Sequence, residues 1–259
     1  MNTKIFSLIT KNLHLAFNLP KYQHVSASIG PATIVEDLPW TPARYRKFKD
    51  AVAAELALPC DYTGTLEQIT ADLSERYTHR FFSEIWRPRT GEYDHSGWAL
   101  VEEINKLNPE RVLDVGCGYH PFKGRIANII GIDPYNDAAD YEVDILDYKV
   151  TPESYDAIIA LGSINFNSQD EIEERFAHCV SLLRPGGRFY LRANPGLPHK
   201  TGPYVDIFHW TFEIVNAFAE RYNLRLETFK KEPAELGRLY FVYSKPAAAR
   251  SSRRSRLTA

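Results

Sequence analysis

The sequence VLDVGCG at residues 112–118 carries an apolar run directly into a turn that contains two glycines. Its first four residues, with Asp114 as the one polar member, indicate a short strand buried on both faces. Gly116 and Gly118 favour a sharp turn, because glycine adopts backbone conformations that other residues avoid and lets a ligand approach the main chain. A buried strand that ends in a glycine turn is typical of nucleotide-binding α/β sheets.

Strand-like and helix-like patterns alternate through the rest of the chain after Arg111. Ser168 and Glu171 have the spacing of a capping box, which predicts a helix behind them, and residues 211–222 predict another. This alternation predicts a doubly wound α/β sheet of seven strands with helices on both faces. The seven predicted strands are residues 111–115, Ile129–Ile132, 141–143, Tyr155–Leu161, 188–193, 225–230 and Leu239–Ser244.

The pattern divides the chain into three parts. Residues 1–96 show helical spacing of apolar residues and no strong strand pattern, so we expect a mainly helical N-terminal extension that acts as a lid. Residues 97–246 form the predicted α/β domain, which a polar and flexible run at residues 87–97 joins to the extension. Residues 247–259 lack aromatic residues and any apolar period, which predicts a disordered basic tail.

A second acidic signal follows the glycine turn. The run GIDP places Asp133 at the end of the second strand, 17 residues after Gly116. An acidic residue in that position can accept hydrogen bonds from the hydroxyls of an adenosine ribose. A third acid, Asp144, ends the third predicted strand in the run VDILD.

Over residues 97–245 these motifs resemble the class I S-adenosylmethionine (SAM)-dependent methyltransferases. The resemblance includes VLDVGCG, GIDP, VDILD, the fourth strand YDAIIALGSINF and the run LLRPGGRFYL before the fifth strand. It implies SAM as the cofactor and an antiparallel last strand. It also implies a cofactor-binding set made up of Asp114, Gly116, Cys117, Gly118, Asp133, Pro134, Asp144, Ile145, Leu161 and Gly162.

The glycine turn departs from the family pattern at its end. His120 stands where the family has a third glycine, and Pro121 follows it. The short offset to Asp133 predicts only a stub helix that begins at Pro121. His120 is then expected either to cover the methionine end of the cofactor, to point towards the substrate, or to remain a histidine of the surface loop.

The resemblance implies a methyltransferase, and the near balance of basic and acidic residues favours an oxygen or nitrogen acceptor on a small molecule or a modest polar substrate over long duplex DNA. The loops after the fourth and fifth strands offer Asn165, Asn167, Arg192 and Asn194, and the candidates for a general base are His209, Asp206, His199 and Tyr204. A non-catalytic module that binds SAM or a nucleotide remains an alternative, as does a methyltransferase that acts on RNA. A nicotinamide-binding domain is disfavoured, since proline at position 121 replaces the glycine which that fingerprint requires.

The charge and residue composition of the chain limit the kinds of partner and compartment that we expect. The chain has 31 basic and 33 acidic residues and a formal net charge of -2, so no global positive field favours nucleic acid. Three cysteines at unrelated spacings indicate reduced thiols in a cytoplasmic protein, and no Cys-x-x-Cys pair suggests a metal. Lys11, Asn12 and His14 interrupt the apolar N-terminus, so we expect neither a signal peptide nor a membrane partner. The oligomeric state is left open.

Overall fold

The computed structural model describes residues 79, 82–83, 90–166, 168–195, 208–232 and 237–247. The predicted helices of the N-terminal extension and the predicted tail after residue 247 lie outside these ranges. The elements below belong to the same one of the two structural units into which the chain divides. They are helices α1 (Ala99–Asn105), α2 (Gln169–Leu182) and α3 (Phe212–Arg221), and strands β1 (Val112–Val115), β2 (Ile129–Ile132), β3 (Tyr155–Leu161), β4 (Leu183–Ala193), β5 (Arg225–Lys231) and β6 (Leu239–Ser244).

The six strands of the described region form one sheet in the order β2-β1-β3-β4-β6-β5. β1 to β4 pair in parallel, whereas β6 runs antiparallel to both β4 and β5. This confirms the α/β class and the antiparallel last strand. The chain order reverses between β1 and β3, so the crevice at the carboxyl ends of these two strands is the topological switch point, where such sheets bind ligands.

The prediction of a strand at residues 141–143, and so of seven strands, is wrong for the described region. Only one parallel bridge, between Ile132 and Tyr141, remains of it. Tyr141 and Glu142 are exposed and Val143 is only partly buried against the core, so little of this segment is held in the sheet. Directly after them, Asp144 accepts a hydrogen bond from the Leu146 amide and begins a turn.

Side chains alternate across the sheet and supply two separate cores. On one face, Ile158 of β3 joins the side chains of α2 and α3. On the other face, Ala157 and Ile159 join Leu100 and Ile104 of α1. Alternation with a period of two is what a sheet covered on both faces requires.

Local signals explain where the main helix begins and why another is missing. The predicted capping box is present, because the Ser168 side chain accepts from the Glu171 amide while the Glu171 side chain accepts from the Ser168 amide. The predicted stub helix at Pro121 is instead a series of tight turns over residues 121–127. Phe122 and Ile126 from these turns are buried against the face that α1 covers, so the turns still contribute to the core.

Hydrogen bonds tie the segment before α1 to the end of β5, the strand at the edge of the sheet. The backbone N–H groups of Asp94, His95 and Ser96 all donate to the Glu232 carboxylate, at 2.6–3.2 Å. Glu232 is fully buried just after β5. The sequence predicted a flexible joint at residues 87–97, whereas the structure anchors its second half through a buried carboxylate.

Candidate functional site

The turn after β1 lies against the end of β2. Gly116 and Gly118 have positive φ angles, 68° and 56°, which side chains rarely adopt. The Gly118 N–H donates to Oδ2 of Asp133 at 2.9 Å, and the amides of Gly116 and Cys117 both donate to the carbonyl of Ile132. The two motifs predicted from the sequence, VLDVGCG and GIDP, are therefore brought together at the switch point.

Asp114 places a buried carboxyl group beneath this turn. Only 3% of its surface is exposed, at the end of a strand that pairs on both sides. Burial raises the pKa of Asp114 to about 7, the nearby charge of Asp133 adds to the rise, and Arg192 opposes it. Because this group is only partly ionised at neutral pH, a positive charge brought beside it would shift it strongly towards the ionised form.

The carboxylate of Asp133 also organises its own turn. Its Oδ1 accepts from the Tyr135 amide at 2.8 Å and from Nδ2 of Asn136 at 3.0 Å. With the Gly118 amide these make three donors, while a carboxylate has about four lone-pair sites. Pro134 is partly exposed between them. One accepting site of Asp133 therefore remains for a ligand.

Asp144 and Ile145 lie on the turn that replaces the predicted third strand. Oδ1 of Asp144 accepts from the Leu146 amide at 3.0 Å, and its Oδ2 lies 3.5 Å from Nη2 of Arg175 on α2. The Ile145 side chain is buried in the core. These contacts give Asp144 a structural role at a turn, and they leave its Oδ2 with only a long ion pair.

His120 is buried, so the third of the orientations that the sequence left open, a histidine on the surface of the loop, is wrong. It has a φ of 49°, which lies in the left-handed region that favours glycine. Its ring is buried against Gly131 of β2, and the described residues supply no hydrogen-bond partner for either ring nitrogen. Burial lowers the pKa of His120, Asp140 opposes the shift, and Lys123 adds to it. The uncharged His120 ring therefore packs beneath the turn and fills the space against Gly131.

The turn after β3 contacts the turn after β1. Ser163 Oγ donates to the Val115 carbonyl at 2.5 Å, and a side chain at Gly116 would overlap Ser163. Gly162 follows with a φ of 103°, and Leu161 and Gly162 are partly exposed. The Leu161 carbonyl accepts from Nη2 of Arg192 at 2.9 Å. This turn therefore links the glycine turn to the end of β4.

Of the four candidates for a general base, only His209 lies within the described residues; His199, Tyr204 and Asp206 lie outside them. The segment around His209 packs on the turn after β3: the Phe208 amide donates to the Asn165 carbonyl at 2.8 Å, and Nε1 of Trp210 donates to the Ile164 carbonyl at 3.0 Å. Nδ1 of His209 is buried without a hydrogen-bond partner in the described region.

Arg192, which the sequence analysis named, lies in the site, and Arg238 and Glu232 extend the site beyond what the sequence predicted. The Arg192 side chain is 5% exposed, covers the ring of Tyr93 at 3.8 Å from its centroid and lies 3.3 Å from Oγ of Ser96. Burial lowers the pKa of Arg192 to about 10. Arg238 and Glu232 gave no signal, because they flank a loop between two antiparallel strands and only the sheet order brings them beside β4.

Cys117 packs inside the turn, and the described residues offer no metal cluster. Burial raises the pKa of the Cys117 thiol far above neutrality, so this group is no nucleophile at pH 7. Within the described ranges, no three or more His, Cys, Asp or Glu side chains form a group that could hold a metal ion. In the same ranges, no helix has the length and apolar character needed to cross a membrane.

No sequence-family model and no curated protein matches the chain. Solved structures do match it. Burkholderia thailandensis 1,6-didemethyltoxoflavin-N1-methyltransferase, with bound 1,6-didemethyltoxoflavin and S-adenosylhomocysteine, has a TM-score of 0.53 and 14% identity over 71% of this chain and 92% of its own.

Two further structures match at lower TM-scores. N-methyltransferase NodS from Bradyrhizobium japonicum has a TM-score of 0.44 and 14% identity, over 59% of this chain and 93% of its own. A putative S-adenosylmethionine-dependent methyltransferase from Listeria monocytogenes has a TM-score of 0.43 and 14% identity, over 57% and 97%. The fold assignment rests on the Burkholderia structure and on the strand order: the chain has the Rossmann-like fold of SAM-dependent methyltransferases.

Proposed function

We propose, from a fold shared with the class I SAM-dependent methyltransferases, that this chain transfers the methyl group of SAM to an oxygen or nitrogen of a small molecule or modest polar substrate. The observation that carries the proposal is the bond from the Gly118 amide to Asp133 at 2.9 Å, which joins the glycine turn to the acid of β2 at the switch point. A fold alone hosts many functions, so the proposal depends on this site.

The site fits the cofactor at three places. Gly116 and Gly118 bend the backbone so that the methionine portion can lie close to it. The buried Asp114 carboxyl faces this region and gains a favourable interaction with an α-ammonium group. Asp133 has one accepting site left, so we assign it a direct hydrogen bond to one ribose hydroxyl.

The remaining residues of the predicted cofactor-binding set are assigned their roles from their positions in the fold. Asp144 and Ile145 are assigned to the adenine end, with Cys117 and Pro134 as neighbours of the two turns that line the pocket. Leu161 and Gly162 are assigned to the side that faces the reacting methyl group, because they are partly exposed at the end of β3 beside the glycine turn.

SAM, when bound, supplies a methyl group on a sulfonium, and its transfer is an in-line displacement by a nucleophile. The chain then has to orient the acceptor and exclude water. His209 is our candidate for the group that takes a proton from the acceptor, because its buried Nδ1 has no partner in the described region and its segment packs on the turn after β3. His199, Tyr204 and Asp206 remain further candidates.

Calorimetry with S-adenosylhomocysteine and with NAD tests the proposal, followed by a labelled-methyl assay on cell extract separated by molecular size. We expect binding of S-adenosylhomocysteine, no binding of NAD, and label in the small-molecule fraction. NAD binding alone would support a nicotinamide-dependent enzyme. Binding of S-adenosylhomocysteine without label in any fraction would support a non-catalytic module, and label in nucleic acid would support an RNA methyltransferase.

A further inference from the structure

Three nitrogen atoms converge on one point beside the turn after β3. A Cβ atom built on Gly162 would have Nδ2 of Asn165 at 3.5 Å, Nη1 of Arg238 at 3.8 Å and Nη2 of Arg192 at 3.9 Å as its nearest neighbours. These donors come from three separate segments of the chain, and glycine leaves the point between them free of side-chain atoms. An oxygen atom placed near this point can accept hydrogen bonds from several of them.

Each of the three side chains also has a donor that its own fold does not satisfy. Asn165 Nδ2, Arg192 Nε and Arg238 Nε are buried and have no hydrogen-bond partner among the described residues. Asn165 is fully buried and Arg192 is 5% exposed. Buried donors without acceptors are costly, and native proteins keep few of them. Of the unsatisfied donors, Asn165 Nδ2 is also one of the three nitrogens near Gly162. Gly162 and Arg238 are partly exposed, so a ligand can approach these three nitrogens from this side.

The charges around Arg192 favour an anionic ligand. Two carboxyl groups, those of Glu232 and Asp114, interact with Arg192, and so does the second guanidinium of Arg238. Glu232 is already bonded to three backbone amides, and Asp114, with a pKa of about 7, is only partly ionised at neutral pH. Two guanidiniums set against one ionised carboxylate and the partly ionised Asp114 leave a net positive charge here while Asp114 is protonated, which favours an anionic ligand over a neutral one.

The sheet order places the two arginines on the side of Gly162 that is farther from the glycine turn. Arg192 lies near the end of β4, and Arg238 directly precedes β6, which pairs with β4. The glycine turn follows β1, which β3 separates from β4. Adjacent strands are about 4.8 Å apart, so two strand spacings put β4 roughly 10 Å from β1. A ligand group between the two arginines therefore lies on the acceptor side of the pocket.

We propose that Asn165, Arg192 and Arg238 bind a carboxylate group of the methyl acceptor, so that the substrates of this enzyme are small carboxylic acids. Guanidinium groups recognise a planar carboxylate with parallel charge-assisted hydrogen bonds, and the Asn165 amide adds a third donor. The identification of the ligand as the methyl acceptor rests on the proposed function, whereas the carboxylate site itself is defined by the three side chains.

The test is an NMR titration of the full chain with carbon-13-labelled acetate and with acetamide at constant ionic strength. We expect acetate to bind in preference to acetamide and its affinity to fall at least tenfold in Arg238→Gln. Asn165→Asp should abolish acetate binding, because it places the protein's own carboxylate among the arginines. Arg225→Gln is the matched control, since it removes an exposed charge from β5, and it should leave acetate binding unchanged.

Two results would overturn the inference. One is binding without preference for acetate, or with equal affinity in Arg238→Gln and the native chain. The other is a loss of S-adenosylhomocysteine affinity in Arg238→Gln with no change for 5′-methylthioadenosine, which would assign the arginines to the cofactor's own carboxylate. S-adenosylhomocysteine binding by the native chain is measured on the same samples. A chain that selects acetate but binds no S-adenosylhomocysteine contradicts the proposed function and leaves the carboxylate site standing.

Discussion

The ring of His120 occupies the space that a side chain on Gly131 would need. A Cβ atom built on Gly131 would stand 2.7 Å from both Cε1 and Nε2 of His120 and 2.8 Å from Sγ of Cys117. The residue that breaks the glycine pattern of the turn is therefore matched by a glycine in the next strand. The irregular turn is a packed arrangement in which His120 itself has a left-handed backbone.

This relationship predicts coupling between the two positions. Gly131→Ala should destabilise the fold by about 1–3 kcal/mol, because the new methyl group overpacks against a buried ring. Combining it with His120→Gly should cost less than the sum of the two single changes, by about 0.5–3 kcal/mol. Chemical denaturation of the four proteins of the cycle measures this difference.

Gly91→Ala is the matched control for this cycle. A Cβ there would meet only Nε1 of Trp98, at an ordinary 3.7 Å, so its effect should simply add to that of His120→Gly. Additive free energies of unfolding for Gly131→Ala and His120→Gly would contradict the packing that we describe.

Asp133→Ala should weaken binding of S-adenosylhomocysteine by about 1–3 kcal/mol, the typical cost of losing a charged hydrogen-bond partner. The change also removes three protein hydrogen bonds from the two turns, so thermal unfolding must be measured beside calorimetry. Asp137→Ala, in the same exposed loop, is the control and should bind normally. Unchanged affinity in a folded Asp133→Ala protein would remove the residue from the cofactor site.

The buried Asp114 carboxyl predicts that cofactor binding depends on pH. Burial raises its pKa to about 7, and an ammonium group beside it would favour the ionised form. Affinity for S-adenosylhomocysteine should therefore rise about tenfold between pH 6 and pH 8, with release of a proton near pH 7. Calorimetry in two buffers of different ionisation enthalpy counts that proton. In Asp114→Asn the pH dependence should vanish; if it persists, another group is responsible.

The same shift has a consequence for stability, with the opposite direction. The pKa of Asp114 is raised in the folded chain above its unfolded value of about 3.9, so the folded state holds an extra proton between these values. Its stability contribution is complete below about pH 4 and is lost as the pH rises through about 7. Asp114→Asn should thus stabilise the chain at pH 8, by at most about 4 kcal/mol.

Much of the fold and part of the site could be predicted, because the signals are local in sequence. The run VLDVGCG identifies β1 and its turn, and the spacing of Ser168 and Glu171 identifies the start of α2. The relation between Gly118 and Asp133 followed from the parallel order of two consecutive strands. Each of these depends on a few neighbouring residues and on a connection rule that most α/β sheets obey.

The errors have a different origin. Residues 141–143 have a strand-like sequence, but the exposure of Tyr141 and Glu142 and the turn at Asp144 leave them only one bridge to the sheet. Glu232 and Arg238 lie more than 70 residues from the end of β3 in sequence and reach it only because β6 inserts between β4 and β5. Such long-range placement has no periodic signature, so neither Glu232 nor the pairing of Arg238 with Arg192 could be found from the pattern.

Glu232 should hold the segment before α1 in place beside Arg192. Its carboxylate accepts the backbone N–H groups of Asp94, His95 and Ser96, and Tyr93 beside them lies under the Arg192 guanidinium. Burial acts to raise the pKa of Glu232, but the hydrogen bonds from Ser96 and His95 outweigh it and lower the pKa overall. This contribution to stability is therefore present above the unfolded value of about 4.3 and is lost as the pH falls through the lower folded value.

Glu232→Gln keeps the shape but replaces one accepting oxygen with a donor, so at least one of the three amides loses its acceptor. We expect a loss of about 1–3 kcal/mol in the free energy of unfolding at pH 7. Hydrogen exchange at the amides of residues 94–96 should speed up more than exchange in β1. Glu227→Gln, on β5 just before Glu232 and bonded to Ser244, is the matched control and should leave those three amides protected. Equal protection of residues 94–96 in Glu232→Gln and the native chain would show that the carboxylate is not what holds this segment.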